Sequence, residues 1–485
     1  MFRIAILLLA AATFATAQEV EVRRHDQDGV RLAQSGALPA AIEQFRAALH
    51  LDPSYAEAWY HLGLAYGQAR NTDEAMAAFE EALRIHSDYL EARYMLADSC
   101  RKRGDFTGEL SLLADVVKRA PAFAEAHYNY GLALKNREKV QQAAEELRTA
   151  VKLNPGNPNY LLALGIVLTD VNKTEAVAVL RDALRRGADN SDGHYNLGLA
   201  LATDGEDTAA VEEFRRALEL RPAQAPTLRA LGVTLMHQGN FEESAAALRR
   251  AVVAAPNDAE IANNLGAVLL RLKNIGGAIQ SLERAVQLNP SLIKAHASLA
   301  QAYQRAGRSA DAQRESQRLA ALTAEQRNRG RAMLLVESAK QQAKAGRTAE
   351  AIASVHKAIE ASPNFADVHF QLGRLIRDSG GDPEDAVASF RRVLSLDPER
   401  AEAHYEIGVT LERNGRKADA LEEYRIAVEM APCHVQAKEA LGRTALEAKQ
   451  WSTAGAQFRG VLALQPKNAD AKRGFDRAVS SEGKP

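Results

Sequence analysis

At 485 residues the chain exceeds what one hydrophobic core usually serves, so it is either several domains or a long array of small units. With 46% apolar and 25% charged residues it is not a low-complexity or disordered polymer. A net charge of −1, with both signs mixed along the length, gives no field to draw nucleic acid or a charged membrane, and neither is expected as a partner.

In chain order the first element is a leader. "MFRIAILLLAAATFATAQEV" places Arg3 before an apolar run from Ile4 to Phe14, then Ala15-Thr16-Ala17. A positive end, a short apolar stretch and an A-x-A site describe a secretory signal peptide over 1–17. The run is short for a bilayer, and no second candidate follows. The mature chain is expected to begin near Gln18, exported to a periplasm or secreted, with no integral membrane segment after cleavage. Its only cysteines are Cys100 and Cys433. They fall in distant copies of the repeat described next, and stacked helices about 10 Å across put tens of ångströms between them. An intrachain bridge, which needs a Cα separation under roughly 7 Å, is not expected.

From residue 22 onward one phrase returns. "AEAWYHLGLAYGQ" at 56–68 reappears as "AEAHYNYGLALKN" at 124–136, "SDGHYNLGLALAT" at 191–203 and "AEAHYEIGVTLER" at 401–413. Aligned on its small residue, thirteen copies centre on Gly29, Gly63, Ala97, Gly131, Gly165, Gly198, Gly232, Gly266, Ala300, Ala339, Gly373, Gly408 and Gly442, nearly all 34 residues apart. Repeat positions 4, 7, 8 and 11 share one helical face, and 20, 24 and 27 share a face of a second helix. Small residues at 8 and 20 let the two helices approach closely. Glycines between them suit a left-handed helix end, and a terminal Pro stops the second helix. One such hairpin cannot bury its apolar face, so neighbours must stack into a continuous core.

Departures mark boundaries. The first block covers 22–324, about nine copies. Five extra residues then make 325–330 an irregular seam, and a second block of about four copies covers 331–467, followed by a capping helix and tail over 468–485. Seven arginines against three acids between 305 and 331 read as a solvated helical face.

The pattern resembles the tetratricopeptide repeat family. The second copy reads Trp59, Leu62, Gly63, Tyr66, Ala75, Phe79, Ala82, and the sixth His194, Leu197, Gly198, Leu201, Ala210, Phe214, Ala217, Pro222. The resemblance implies an all-α, α/α superhelical solenoid of helical hairpins, with positions 2, 5, 6, 9, 12 and 13 of each first helix on a concave side.

No catalytic or metal-binding motif is present, so no catalytic residue, cofactor or metal is expected. "DSGGD" at 378–382 is a turn between helices. His127, His194, His296, His369 and His404 all stand at position 4, one per copy, too dispersed for a metal set; packing or a local hydrogen bond is their expected use. What remains is surface. On the concave side stand Tyr60, Tyr94, Tyr128, Tyr195, Phe370 and Tyr405 at position 5, with Asn129, Asn196, Asn264 and the adjacent Asn263. Asn pairs with a peptide amide through both donor and acceptor, and Tyr adds apolar area with a polar tip. These residues are the expected site for a protein or extended peptide. The partial Asn ladder is similar to that in the repeat region of O-linked N-acetylglucosamine transferases, although no transferase domain follows. The expected function is an exported, non-catalytic scaffold that binds extended polypeptide or assembles a cell-envelope complex. Its rivals are the repeat arm of a glycosyltransferase system with catalysis on a partner chain, and a glycan or cell-wall binding module.

Overall fold

The computed structural model describes residues 2–482, with side chains from Gln18 to Glu482; the expected signal peptide lies outside the part described with side chains. The described residues form 26 α-helices, one π-helical turn (Leu184–Ala188) and no strand. The fold is an all-α solenoid of helical hairpins. In a representative hairpin, α3 (Ala56–Gln68) packs on α4 (Thr72–Ile85), and the small residue at position 8 sets the approach. A Cβ added to Gly63 would lie 2.5 Å from Phe79 Cε1, and Phe79 is itself buried. The same happens where α7 (Ala124–Lys135) meets α8 (Val140–Leu153): a Cβ on Gly131 would lie 2.7 Å from Leu147 Cγ. Gly131→Leu is therefore expected to cost about 1–3 kcal/mol through overpacking. The loosening should stay within α7, α8 and their stacked neighbours. Hydrogen exchange that rises evenly along the chain, or nowhere, would contradict the nearest-neighbour packing.

Hairpin turns use the left-handed region. Gly205 has φ 88°, while Glu138, with φ 58°, takes the corresponding place after α7, where a side chain is tolerated at a steric cost. The expected irregular seam at 325–330 is helical instead. A single helix, α18 (Ser309–Lys344), runs through it. The reason is local: "AEQRNRGRA" contains strong helix formers, no Pro and one Gly, whose cost is only about 1 kcal/mol. After the last hairpin, α26 (Ala469–Glu482) occupies the place expected for the capping helix.

The chain divides into two compact units: Met1–Ala122 with Leu334–Pro485, and Phe123–Met333. The first unit is discontinuous in sequence, and it overturns the expectation about the cysteines. Cys100 and Cys433 are disulfide-bonded, with Cα atoms 6.2 Å apart, inside the usual range for such bonds. The estimate of tens of ångströms assumed copies that touch only their sequence neighbours. In this unit α4 packs on α25 (Trp451–Leu464), so copies far apart in sequence meet.

Polar groups line this closure. Lys438, on α24 (Val435–Glu447), and Glu80, on α4, form a buried ion pair with Nζ–Oε1 2.5 Å. Arg93, on α5 (Leu90–Lys102), is completely buried and donates to the carbonyls of Ala463 at 3.0 Å and Ser87 at 2.9 Å. Burial pulls its guanidinium below its ordinary value, opposed by Asp115. The Cys433 amide donates to Asp105 Oδ2 at 2.7 Å. Two glycines make the fit: a Cβ on Gly108 would lie 2.2 Å from Cys433 Cβ, and one on Gly460 would lie 2.3 Å from Lys438 Nζ.

Candidate functional site

The position-4 histidines answer a packing need. Nδ1 of His127, His194 and His296 lies 2.6 Å from Glu146, Glu213 and Glu315, and that of His404 lies 2.7 Å from Glu423. Each pair joins the two helices of one hairpin across 19 residues, and His25 does the same with Gln44 at 2.7 Å. His369 bonds instead to the Pro363 carbonyl at 2.8 Å. Among the described residues no group of three or more His, Cys, Asp or Glu is placed to hold a metal ion.

The expected surface residues are less free than the pattern suggests. In the Phe123–Met333 unit, Tyr128 is half-buried and stacks on Tyr160 with centroids 4.9 Å apart, and Tyr195 lies 6.3 Å from the core ring of Phe214. Burial raises the Tyr128 phenol above its ordinary value. Asn196 donates to the Asp192 carbonyl of its own helix at 2.7 Å. Asn263 is buried, and its Oδ1 has no partner; Asn129 and Asn264 are half-buried. In the other unit Tyr60 packs between Phe79 and Tyr89, at 6.0 and 5.0 Å. Tyr94 is half-buried. Arg400 lies over the Phe370 ring, 4.2 Å from its centroid.

The expected residues thus serve inter-helix packing as well as surface, because a ring at position 5 reaches the core ring at position 24. One of them opens onto a cavity. Within the discontinuous unit a cavity of about 450 Å³ lies between α22 (Ala401–Arg413) and α24, lined among others by Tyr405, Glu412, Gln436, Glu439 and Arg443. Tyr405 sits 5.9 Å from Tyr424 and 5.2 Å from His434, and burial raises its phenol above the ordinary value. Glu412 organises the floor. It accepts from Tyr424 Oη at 2.8 Å and from Arg443 at 2.8 and 3.1 Å. Burial pulls the Arg443 guanidinium down, but Glu412 outweighs it and holds the group above its ordinary value. Gln436, Glu439 and Arg443 follow Cys433 at repeat positions 2, 5 and 9 of the last copy, where they match no consensus residue. Chemically the cavity offers the rings of Tyr405 and Tyr424, the Gln436 amide, and charges of both signs from Glu412, Glu439, Arg413 and Arg443.

Sequence comparison decides the family. Tetratricopeptide repeat models match residues 94–158, 172–225, 229–293 and 375–432, and related ones match 29–69 and 56–89; together they span more than half of the chain. The chain belongs to the tetratricopeptide repeat family. Curated relatives include the BBSome complex member BBS4 homolog of Drosophila melanogaster, 28% identical over 164 residues, which are 33% of this chain and 34% of that protein. The PEX5-related protein of Homo sapiens is 29% identical over 97 residues, 20% of this chain and 16% of that one. A tetratricopeptide repeat and J domain-containing co-chaperone of Cryptococcus neoformans is 31% identical over 100 residues, 20% and 19% of the two chains. This tetratricopeptide repeat chain thus spans about a third or less of the length of these relatives. Among solved structures, the Cut9–Hcn1 hetero-tetramer matches at TM-score 0.37 and 14% identity, over 94% of this chain and 96% of that one. YrrB, described as a TPR protein with an unusual peptide-binding site, matches at TM-score 0.32 and 21% identity, over 38% and 95%. No helix among the described residues is long and apolar enough to cross a membrane.

Proposed function

We propose that this tetratricopeptide repeat chain is an exported, non-catalytic scaffold of about thirteen repeats. It holds an extended polypeptide, or a segment of an envelope complex, against the inner positions of its first helices. The observation that carries the reading is the cavity between α22 and α24, where Tyr405 and Gln436 present a ring and a two-way amide on the first helices of adjacent repeats. Relatives named as a co-chaperone and as a complex member fit a protein partner. The glycosyltransferase-arm reading draws on the Asn rungs Asn129, Asn196 and Asn264, of which Asn196 is bonded to its own helix and the other two are half-buried. Export is supported by the leader pattern and by the disulfide, which belongs to an oxidising compartment.

A peptide array probed with the purified chain, followed by fluorescence polarisation, tests binding. Tyr405→Ala and Gln436→Ala are each expected to weaken the best peptide by about 1–2 kcal/mol if they are anchors, with the thermal transition as a control because Tyr405 also packs. No array signal, or unchanged affinity in both variants, removes the groove from consideration. Export has its own check: N-terminal sequencing of chain recovered outside the cytoplasm should start at or beside Gln18, and an intact Met1 there would overturn the leader.

A further inference from the structure

We propose that Cys100–Cys433 is a redox latch that holds α24, and with it the cavity between α22 and α24, in its binding shape. That the cavity binds peptide rests on the function proposed above; the latch does not. Cys433 lies two residues before α24 begins. The two sides of this helix do different work. Lys438 is buried against Glu80, while Gln436, Glu439 and Arg443 line the cavity. Whatever fixes the first residues of α24 on the N-terminal copies therefore fixes the cavity wall.

The closure is specified by the sequence rather than incidental to a long chain. Position 4, which is aromatic, apolar or His in most copies, is Arg93 in the third and Lys438 in the last, and both are buried in the closure. Gly108 and Gly460 sit inside helices, where Gly costs stability relative to Ala, and each leaves room for one closure group. The non-covalent part combines the packing of α4 on α25 with the polar groups described above, the Lys438–Glu80 pair among them. A buried ion pair recovers in mutual attraction little more than the desolvation it suffers, so the pair orients the two segments more than it binds them. The disulfide adds a covalent hold at the start of α24, by denying the segments the freedom to separate there.

Opening the latch is thiol–disulfide exchange. A thiolate of a dithiol reductant attacks one sulfur of the bridge, giving a mixed disulfide and one protein thiol. The reductant's second thiol then displaces the other protein sulfur, leaving two protein thiols and an oxidised cyclic reductant. Closing runs the exchange in reverse with a disulfide oxidoreductase or a small disulfide as oxidant. Both cysteines are buried, at 0% and 4% exposure, so attack waits on local opening of the turn before α24. The latch keeps its state rather than following every fluctuation of its surroundings.

Amide hydrogen exchange on the full chain tests this without a ligand. The oxidised chain, the dithiothreitol-reduced chain and a Cys100→Ala/Cys433→Ala variant are compared. Reduction and the double variant should each speed exchange in α24 by about tenfold or more, leave helices between Phe123 and Met333 unchanged, and be reversed in the wild type by re-oxidation. Unchanged exchange in α24 overturns the latch. Equal loosening of both units, or loss of α20 (Ala366–Asp378) along with α24, also overturns it, because the bridge would then be a general staple. If α24 loosens as expected while the array yields no peptide, the latch stands and the binding reading falls.

Discussion

Replacing Phe214 with Ala lowers stability by about 3–5 kcal/mol, the largest expected effect in the Phe123–Met333 unit. Phe214 is completely buried, and it is the atom set against which Gly198 is fitted: a Cβ on that glycine would lie 2.6 Å from the ring. Removing the ring leaves a cavity between α11 (Ser191–Asp204) and α12 (Asp207–Leu220) that the hairpin cannot close. A compensating Gly198→Ala or Gly198→Val should recover part of the loss, since it puts carbon where the ring edge was. Chemical denaturation monitored within this unit measures both. A loss below about 1 kcal/mol, typical of an exposed position, would mean that position 24 is not the core of the hairpin.

Lys438→Met is expected to cost about 3–5 kcal/mol in the discontinuous unit, because Glu80 is left charged and unpaired at 7% side-chain exposure. Joining it with Glu80→Leu should return most of that loss, since an apolar pair of similar volume avoids desolvating two charges. The two substitutions must then be strongly non-additive. Measured on the oxidised chain, simple additivity would show that the two charges do not meet. Gly460→Ala is a companion probe, expected to destabilise through contact with the Lys438 ammonium although it sits in a helix, where Ala is otherwise favoured.

The hairpins were legible because their cause is local. Gly63, Phe79 and Ala82 carry the period and the fit between helices in their own residue types, and the structure uses each as the pattern implies. The seam was misread because an insertion changes register without dictating a loop, and its residues favour helix. Of the cavity, Tyr405 was visible as a ring at position 5 of its copy. Gln436, Glu439 and Arg443 were not, since their significance depends on which helix faces them. The closure left signals that nearest-neighbour reasoning has no place for: Arg93 and Lys438 at position 4, and glycines 108 and 460 inside helices. Taken together, charges in core positions and unexplained mid-helix glycines in two separate copies point to those copies meeting. Periodicity puts Tyr60 and Tyr195 at position 5, but it does not reveal that a ring there reaches the ring at position 24 of the same hairpin.

The discontinuous unit also sets a timetable. Cys100 and Cys433 are 333 residues apart in sequence, so at about 5–20 residues per second the first thiol waits roughly 15–70 s for the second to be made. During that interval the surface around Arg93 and Glu80 has no partner from its own chain, and stacking of the later hairpins cannot supply one. With only two cysteines there is no wrong bridge to form within a molecule. The hazard of the delay therefore falls between molecules, as a Cys100–Cys100 dimer of unfinished chains, and it grows with the rate at which the protein is made.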